Sequence, residues 1–398
     1  MKRTAAKAGS HSTSALSAYA ASYRYQVAIA CMFRNATFFL REWIEFHLML
    51  GVEKFFLCDN NSEDDCATAL APYVRAGVVD LERESKVFDK RWDNFEKKLH
   101  APFYNRVVRQ VRGVVKWLCL IDVDEFMVPH EGAHTIGQVL EEVGATYGPV
   151  VPVFWQRFGT AGVQRVPCDR LIIETLTMRE RNDAHSLTSV HMGKAIVRPE
   201  MVKHVKNPHW IVTQPQQGHR PLGIIAVTDA SMLPFMFSVN RWLRIYHYTM
   251  GDLEYVNLVK LQFHRRYYMS ETLCDVSYER YAALYNDEHD FSMVRFVPAL
   301  RARIFGEVGT QGASTEQACV RSARPEWDAF VAARRQQAAL GVAANEKGLQ
   351  QSPTDRRPFA HRHRPPPDSA GQPQAPPPAA DGPADHSLTP QKKTCNGR

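Results

Sequence analysis

The chain has 398 residues, 44% of them hydrophobic, enough to bury a large core, and it carries a formal charge of +7. That charge lies toward the ends: residues 1–24 hold Lys2, Arg3, Lys7 and Arg24 against no acid, and residues 349–398 hold seven basic and four acidic side chains. The body between them is near neutral, so neither a whole-domain polyanion-binding field nor a specific nucleic-acid partner is indicated, although a local basic pocket for phosphates stays open.

Eight cysteines occur without a CxxC pair, which argues against a zinc cage. No stretch approaches the roughly 18 apolar residues of a membrane span, and the first residues lack the apolar centre of a secretory leader. These features predict a protein of the reducing cytoplasm, at most peripheral at the inner face of a membrane.

In chain order, residues 1–24 are small, polar and basic and read as an unpacked arm. "YQVAIACMF" (25–33) is an apolar run of strand length. "TFFLREWIEFHLMLG" (37–51) places Leu40, Trp43, Ile44, His47 and Leu50 on one helical face, with Gly51 as its stop. "KFFLC" (54–58) predicts a second strand ending in the turn "DNNSED", and "CATALAPYVRAG" (66–77) a second helix. A third strand (78–82), a helix over 97–113 and a fourth strand "KWLCLI" (116–121) follow. Strands that are apolar on both faces and alternate with helices predict an α/β fold, a mostly parallel sheet with helices on both faces. A single domain is expected over 25–310 and a helical extension over 311–348. Over 349–398 the chain turns Pro-rich, eleven of its 24 prolines falling between Pro353 and Pro390, and disorder is expected there.

The fourth strand runs straight into "DVDEF" (122–126). Ligands of open parallel sheets bind beyond the carboxyl ends of the strands, so these carboxylates should point into a crevice. Asp122 and Asp124 are two apart in extended chain and share a face. Two hard oxygen ligands on one face suit Mg²⁺ or Mn²⁺, completed by phosphate and water. Acid-x-acid alone is weak; Glu63 with Asp65, and Glu82 with Glu84, read as solvated loop or turn charges. Position at the end of a buried strand sets Asp122 and Asp124 apart. Phe33, Arg34 and Asn35 at the end of the first strand, with Asp59 at the end of the second, face the same crevice and are candidates for holding a base and ribose. A plain Asx turn is the alternative for Asp59 to Asn61.

The stretches "RNATFFLREWIEFHLMLGVEKFFLCDNNSEDD", "KWLCLIDVDEFMVP" and "FWQRFGTAG" resemble the glycosyltransferase family 92 domain and family-2-like transferases, over about residues 27 to 265. The resemblance implies a GT-A fold and transfer of a sugar, galactose being most plausible, from a UDP-sugar to a glycan or glycolipid acceptor, with Mn²⁺ or Mg²⁺. It places Asp122 and Asp124 at the metal and diphosphate. His247, in "RIYHYTMGDLEYVNLVK", matches a histidine that can complete the metal shell, and Lys194 a basic position that can meet phosphate; an ordinary scaffold role is the alternative for each. Where relatives often carry a serine after the "HY" pair, this chain has Met250 and Gly251, which puts that loop's contact with donor or acceptor in doubt.

Inversion at the sugar would need a carboxylate base. Glu174 in "LIIETLTMRE" is the first candidate and Asp183 in "ERNDAH" the second, with Glu125 also in place. Pairing of Glu174 with a neighbouring arginine, Arg170 or Arg179, is the structural alternative. Trp155 and Phe158 could floor a sugar ring or simply pack the core. Two rivals stand: a haloacid-dehalogenase-like phosphatase, disfavoured because three strand–helix units precede the DxD, and an inactive adaptor whose Pro-rich tail recruits partners.

Overall fold

The computed structural model describes residues 23–84, 99–181, 191–214, 226–227, 240–263, 278–306 and 322–350. The chain divides into two units, residues 1–341 and 342–398; of the second, only the end of one helix (342–350) is described. Everything below concerns the first unit.

The opening strands and helices form where the apolar pattern places them. β1 (Tyr25–Phe33) and β2 (Lys54–Asp59) are buried almost throughout, as parallel strands covered on both faces must be. Between them runs α1 (Leu40–Met49), and Gly51, at φ +86°, turns the chain out of it. α2 (Cys66–Arg75) is capped by Asp65, whose side chain accepts from the Thr68 amide. β3 (Val79–Arg83), α3 (Ala101–Val111) and β4 (Val115–Leu120) complete the first half. The second half contributes β5 (Glu125–Pro129), α4 (Ile136–Tyr147), β6 (Val150–Arg157), the single turn α5 (Ile172–Thr175) and β7 (Met178–Arg179). It continues through β8 (His191–Val197), the hairpin β9 (Val202–Asn207) and β10 (Trp210–Thr213), β11 (Ala226–Val227) and β12 (Leu243–His247). β13 (Glu288–His289), α6 (Val297–Phe305) and α7 (Pro325–Gln350) close the described chain.

The main sheet has the order β3-β2-β1-β4-β8-β6-β12-β5, with β11 beside β8. β1 is parallel to β2 and β4, β2 to β3, and β6 to β12, while β8 lies antiparallel to both β4 and β6 and β5 to β12. Six strands therefore point one way, and only β8 and β5 run against them along this path. The carboxyl ends of β1, β2, β4, β6 and β12 and the amino ends of β8 and β5 meet on one edge, the edge where an α/β sheet places its ligands.

Successive residues of β1 feed two cores. Val27, Ile29, Cys31 and Phe33 pack with α1, α2 and α4; Ala28, Ala30 and Met32 pack with α3 and the β9–β10 hairpin. α3 is strongly two-sided, burying Phe103, Tyr104, Val107, Val108 and Val111 and leaving Arg106 and Arg109 outside.

Candidate active site

At the end of β4 the chain folds back on itself within four residues. The Glu125 amide donates to the Asp122 carbonyl at 3.1 Å, and Glu125 Oε2 accepts from the Asp122 amide at 2.9 Å. The reversal launches β5, whose first residue, Glu125, sits opposite His247, the last residue of β12. The Tyr248 amide then donates to the Asp124 carbonyl at 2.9 Å, so backbone geometry alone fixes His247 beside the DxD. Lys194 comes from β8, two positions beyond the Ile196–Cys119 pair and thus level with the end of β4.

These strand ends gather a dense charge cluster. Lys194 Nζ donates to Asp122 Oδ2 at 2.6 Å and lies 3.5 Å from Glu125 Oε1. Lys260 Nζ donates to Asp124 Oδ2 at 2.9 Å, and His247 Nε2 lies 3.4 Å from Asp124 Oδ1. Lys194 is 1% exposed, whereas Asp122 keeps 37% of its side chain open. Burial alone would raise the Asp122 carboxyl; the Lys194 ammonium, helped by His100, holds it below its ordinary range. Asp124 is also pushed up by burial and brought far below that range by Lys260 and His247. Glu125 goes the other way: fully buried and facing both aspartates, it is raised well above the ordinary value. Its Oε1 and the His247 Nδ1 lie 4.0 Å apart, and neither has a hydrogen-bond partner among the described residues.

Trp155, near the end of β6, forms the wall of this cluster. Its ring centroid lies 4.6 Å from that of His247 and 5.1 Å from that of His209, and Lys194 Nζ sits 5.6 Å from it. Phe158, by contrast, is fully buried and stacks on Tyr248 at 4.7 Å, a core position. Met250 is buried too, and Gly251 has φ +62°, where a Cβ would meet the Tyr255 ring at 2.8 Å. The loop after the HY pair is thus tightly packed.

The β1 and β2 ends lie on the same edge but bond among themselves. Arg34 Nη2 donates to Glu63 Oε1 at 2.9 Å, the Asn35 amide to Ser62 Oγ at 2.9 Å, and the Glu63 amide to Asn35 Oδ1 at 2.7 Å. Asp59 Oδ1 accepts from the Ser62 amide at 2.8 Å, so an Asx turn is present, while its Oδ2 lies 3.5 Å from Arg83. Phe33 is buried in the core. Glu63, Asp65 and Glu82 are not merely solvated: Glu63 pairs with Arg34 and Arg334, Asp65 caps α2, and Glu82 pairs with Arg106.

Glu174 stands apart from the charge cluster, in α5. Its Oε1 accepts from the Leu171 amide at 2.9 Å and from Arg301 Nη1 at 2.8 Å, so the arginine that holds it comes from α6 rather than from Arg170 or Arg179. Asp183 lies outside the described residues.

Two aspartates and an imidazole are donor chemistry that suits Mn²⁺ or Mg²⁺. Among the described residues, however, no three His, Cys, Asp or Glu side chains are gathered as a metal centre, and both aspartates are countered by lysines. The fit is one of donor type at a shared sheet edge.

Sequence reasoning missed Lys260, His100 and His209. Lys260 lies thirteen positions beyond His247 and reaches Asp124 through a helical turn at 256–260 whose local geometry no periodicity announces. The two histidines feel Asp122 and Lys194 electrostatically, and burial pushes them down to about 4 and about 3 respectively.

The carboxyl edge of this α/β sheet thus carries a DxD, a buried lysine and a strand-end histidine. The chain belongs to glycosyltransferase family 92, whose model matches residues 23–225. It is 28% identical over 177 residues to a glycosyltransferase family 92 protein of Ricinus communis, covering 44% of this chain and 29% of that one. A glycosyltransferase family 92 protein of Oryza sativa subsp. japonica is 29% identical over 182 residues, covering 44% and 27%. The chain therefore matches less than a third of the length of these relatives. Among solved structures it is similar to S. aureus TarS 1–349 in complex with UDP, at 12% identity and a TM-score of 0.27, covering 44% of this chain and 47% of that one.

Proposed function

We propose that this protein transfers a sugar from a UDP-sugar, with galactose the first donor to assay, to a hydroxyl of a glycan or glycolipid. The observation that carries the reading is the DxD of a family 92 chain standing at the carboxyl edge of the sheet, with two lysines and a histidine directed at it.

In the transfer, the acceptor oxygen attacks the anomeric carbon and the carbon–oxygen bond to the diphosphate breaks. The bonding pair leaves with the nucleoside diphosphate, and the hydroxyl proton passes to a base. Asp122, Asp124 and His247 would hold Mn²⁺ or Mg²⁺, which supplies Lewis-acid stabilisation of the departing diphosphate. Lys194 and Lys260 fix both aspartates in their ionised form and place positive charge where the leaving group's charge would develop. Trp155, carried on the same edge and packed against His247, walls the place where the donor sugar would lie. Arg34, Asn35 and Asp59 would meet the nucleotide from the neighbouring strand ends, with Phe33 packed beneath them in the core and the Asx turn of Asp59 holding that loop in shape.

Inversion belongs to this reading, with a carboxylate as base. Glu174 can serve only if Arg301 releases it, which makes Asp183 the alternative to test beside it. Calorimetric titration of UDP, with and without Mn²⁺, should show binding that the metal strengthens; no binding under either condition would sink the proposal. NMR of the product's anomeric proton, taken early in the reaction, reads the stereochemistry directly.

A further inference from the structure

A groove of about 760 Å³ lies between α3 and the β9–β10 hairpin, and the chemistry described so far leaves it unused. Among the described residues its lining includes Arg106, Arg109, Lys203, His204, Lys206 and Trp210, and no acidic residue. Arg106 is paired with Glu82 on β3. Among the described residues Arg109, Lys203 and Lys206 have no acidic partner, and the Lys206 ammonium rests 3.5 Å from the centroid of the Trp210 ring. Four cations on one concavity of a body near neutral is a local concentration that folding stability does not require, since their mutual repulsion opposes it.

The groove is built rather than incidental. Asn105, in its lining, joins α3 to β9 like a strand partner: its Nδ2 donates to the Val205 carbonyl at 2.6 Å and its Oδ1 accepts from the Val205 amide at 2.9 Å. Arg112 makes a second tie, donating to the Val202 carbonyl at 2.7 Å. Along these ties β9 exposes Lys203 and His204 between Val202 and Val205 and Lys206 just past them, while α3 presents Arg106 and Arg109 one turn apart.

Its position relates it to the charge cluster. α3 leads into β4, so it runs back across the sheet and its amino end lies at the carboxyl edge, where Asp122 stands. The groove's lining begins there, at Ala101, next to His100, which feels the charge of Asp122. On the hairpin wall Trp210 follows His209, whose Nδ1 donates to the Gly193 carbonyl at 2.7 Å and whose ring packs on Trp155. From Ala101 to Arg109 the helix advances about 12 Å, the length of two or three sugar units.

We propose that this groove is the acceptor site and that it takes an anionic oligosaccharide, bearing carboxylate or phosphate groups, with its reacting hydroxyl toward Asp122. The inference rests on the transfer reading above. A concave site with an aromatic wall suits a saccharide chain better than a flat bilayer, which a convex basic face would meet.

The full chain is titrated calorimetrically with tetragalacturonate, with pentamannosyl phosphate and with neutral maltotetraose, alongside Arg109→Glu/Lys203→Glu. Both positions are exposed, and unfolding curves will confirm that the variant folds. At least one anionic probe should bind, more weakly as salt rises, while maltotetraose should not. Which anionic probe binds tells carboxylate from phosphate. The double variant should lose roughly tenfold or more in affinity for it, yet bind UDP with Mn²⁺ as the parent does. Equal binding of neutral and anionic probes, binding of neither anion, or an unaffected double variant would overturn the proposal. So would a variant whose sole loss is co-sedimentation with phosphatidylglycerol vesicles, since the ligand would then be a lipid surface. A parent chain that fails to bind UDP would instead remove the transfer reading and leave the groove measurement standing by itself.

Discussion

Two of the clusters of buried charged and titratable side chains, one on α1 and one at the DxD, are held differently. On α1, His47 and Glu42 are satisfied by backbone: His47 Nδ1 donates to the Trp43 carbonyl at 2.8 Å and its Nε2 accepts from the Met127 amide at 3.1 Å. Glu42 accepts from the Ile172 and Ile173 amides at 2.7 and 3.0 Å. At the DxD, charged side chains are held mainly by other charged side chains, Glu125 Oε1 and His247 Nδ1 lack hydrogen-bond partners among the described residues, and Asp122 stays open. Buried polar groups bonded to backbone join elements together. Buried charges balanced against one another, with atoms left over, are what a binding site keeps in reserve.

The largest expected effect tests the second region. Asp122→Asn and Asp124→Asn should each cut UDP-sugar turnover by about 100-fold or more, the scale of losing one electrostatic partner of a transition state. Stability should fall as well, since Asp122→Asn leaves the buried Lys194 with Glu125 alone and Asp124→Asn leaves Lys260 and His247 without their carboxylate, so turnover is compared per folded molecule. A variant that keeps near-normal turnover would make the cluster part of the scaffold and erase the contrast with α1.

The first region should respond in the opposite sense. His47→Ala removes the ring that joins α1 to β5, strands the buried Met127 amide and opens a cavity, at a cost of about 4 kcal/mol in urea unfolding. Turnover per folded molecule should stay near that of the parent. A large loss of turnover without loss of stability would show that α1 acts on the chemistry after all.

The two regions were also unequally legible in the sequence. The helical spacing of Leu40, Trp43, Ile44 and His47 places them on a buried face, and all four are fully or almost fully buried. The Met127 amide that reaches His47 and the Ile172 amide that reaches Glu42 lie 80 and 130 residues away, a separation over which periodicity says nothing. The DxD stood out because strand order puts it at a crevice edge, and β4 does end there. Lys260 and the pairing of Glu174 with Arg301 depend on how distant turns dock, and the basic groove depends on the placement of β9 against α3. Each needs a tertiary arrangement that no local pattern encodes.

The smallest effect concerns pH and resolves the α1 pair into its parts. Glu42 is raised to about 7 by burial, against Arg324 at 3.9 Å and the Ile172 and Ile173 amides, which lower it, and with Glu174 adding to the rise. Its folded form therefore holds a proton that the unfolded chain releases near 4.5, so its contribution to stability is complete below that pH. The contribution then falls as pH rises to about 7 and is constant above, a loss of about 3 kcal/mol. His47 has the opposite sign. Burial lowers it to about 3, so the unfolded chain binds the extra proton and stability from this group grows as pH rises from about 3 to 6.5. Between pH 4.5 and 6.5 the two slopes oppose each other, and the parent should show little net dependence from this helix. Glu42→Gln removes one of them: the stability difference between parent and variant, measured by urea unfolding from pH 4 to 8, should shift against the parent by about 3 kcal/mol, nearly all of it below pH 7. A difference flat across that range would mean that Glu42 keeps its ordinary carboxylate behaviour. The backbone amides and Arg324 would then outweigh burial on α1, as the lysines do at the DxD.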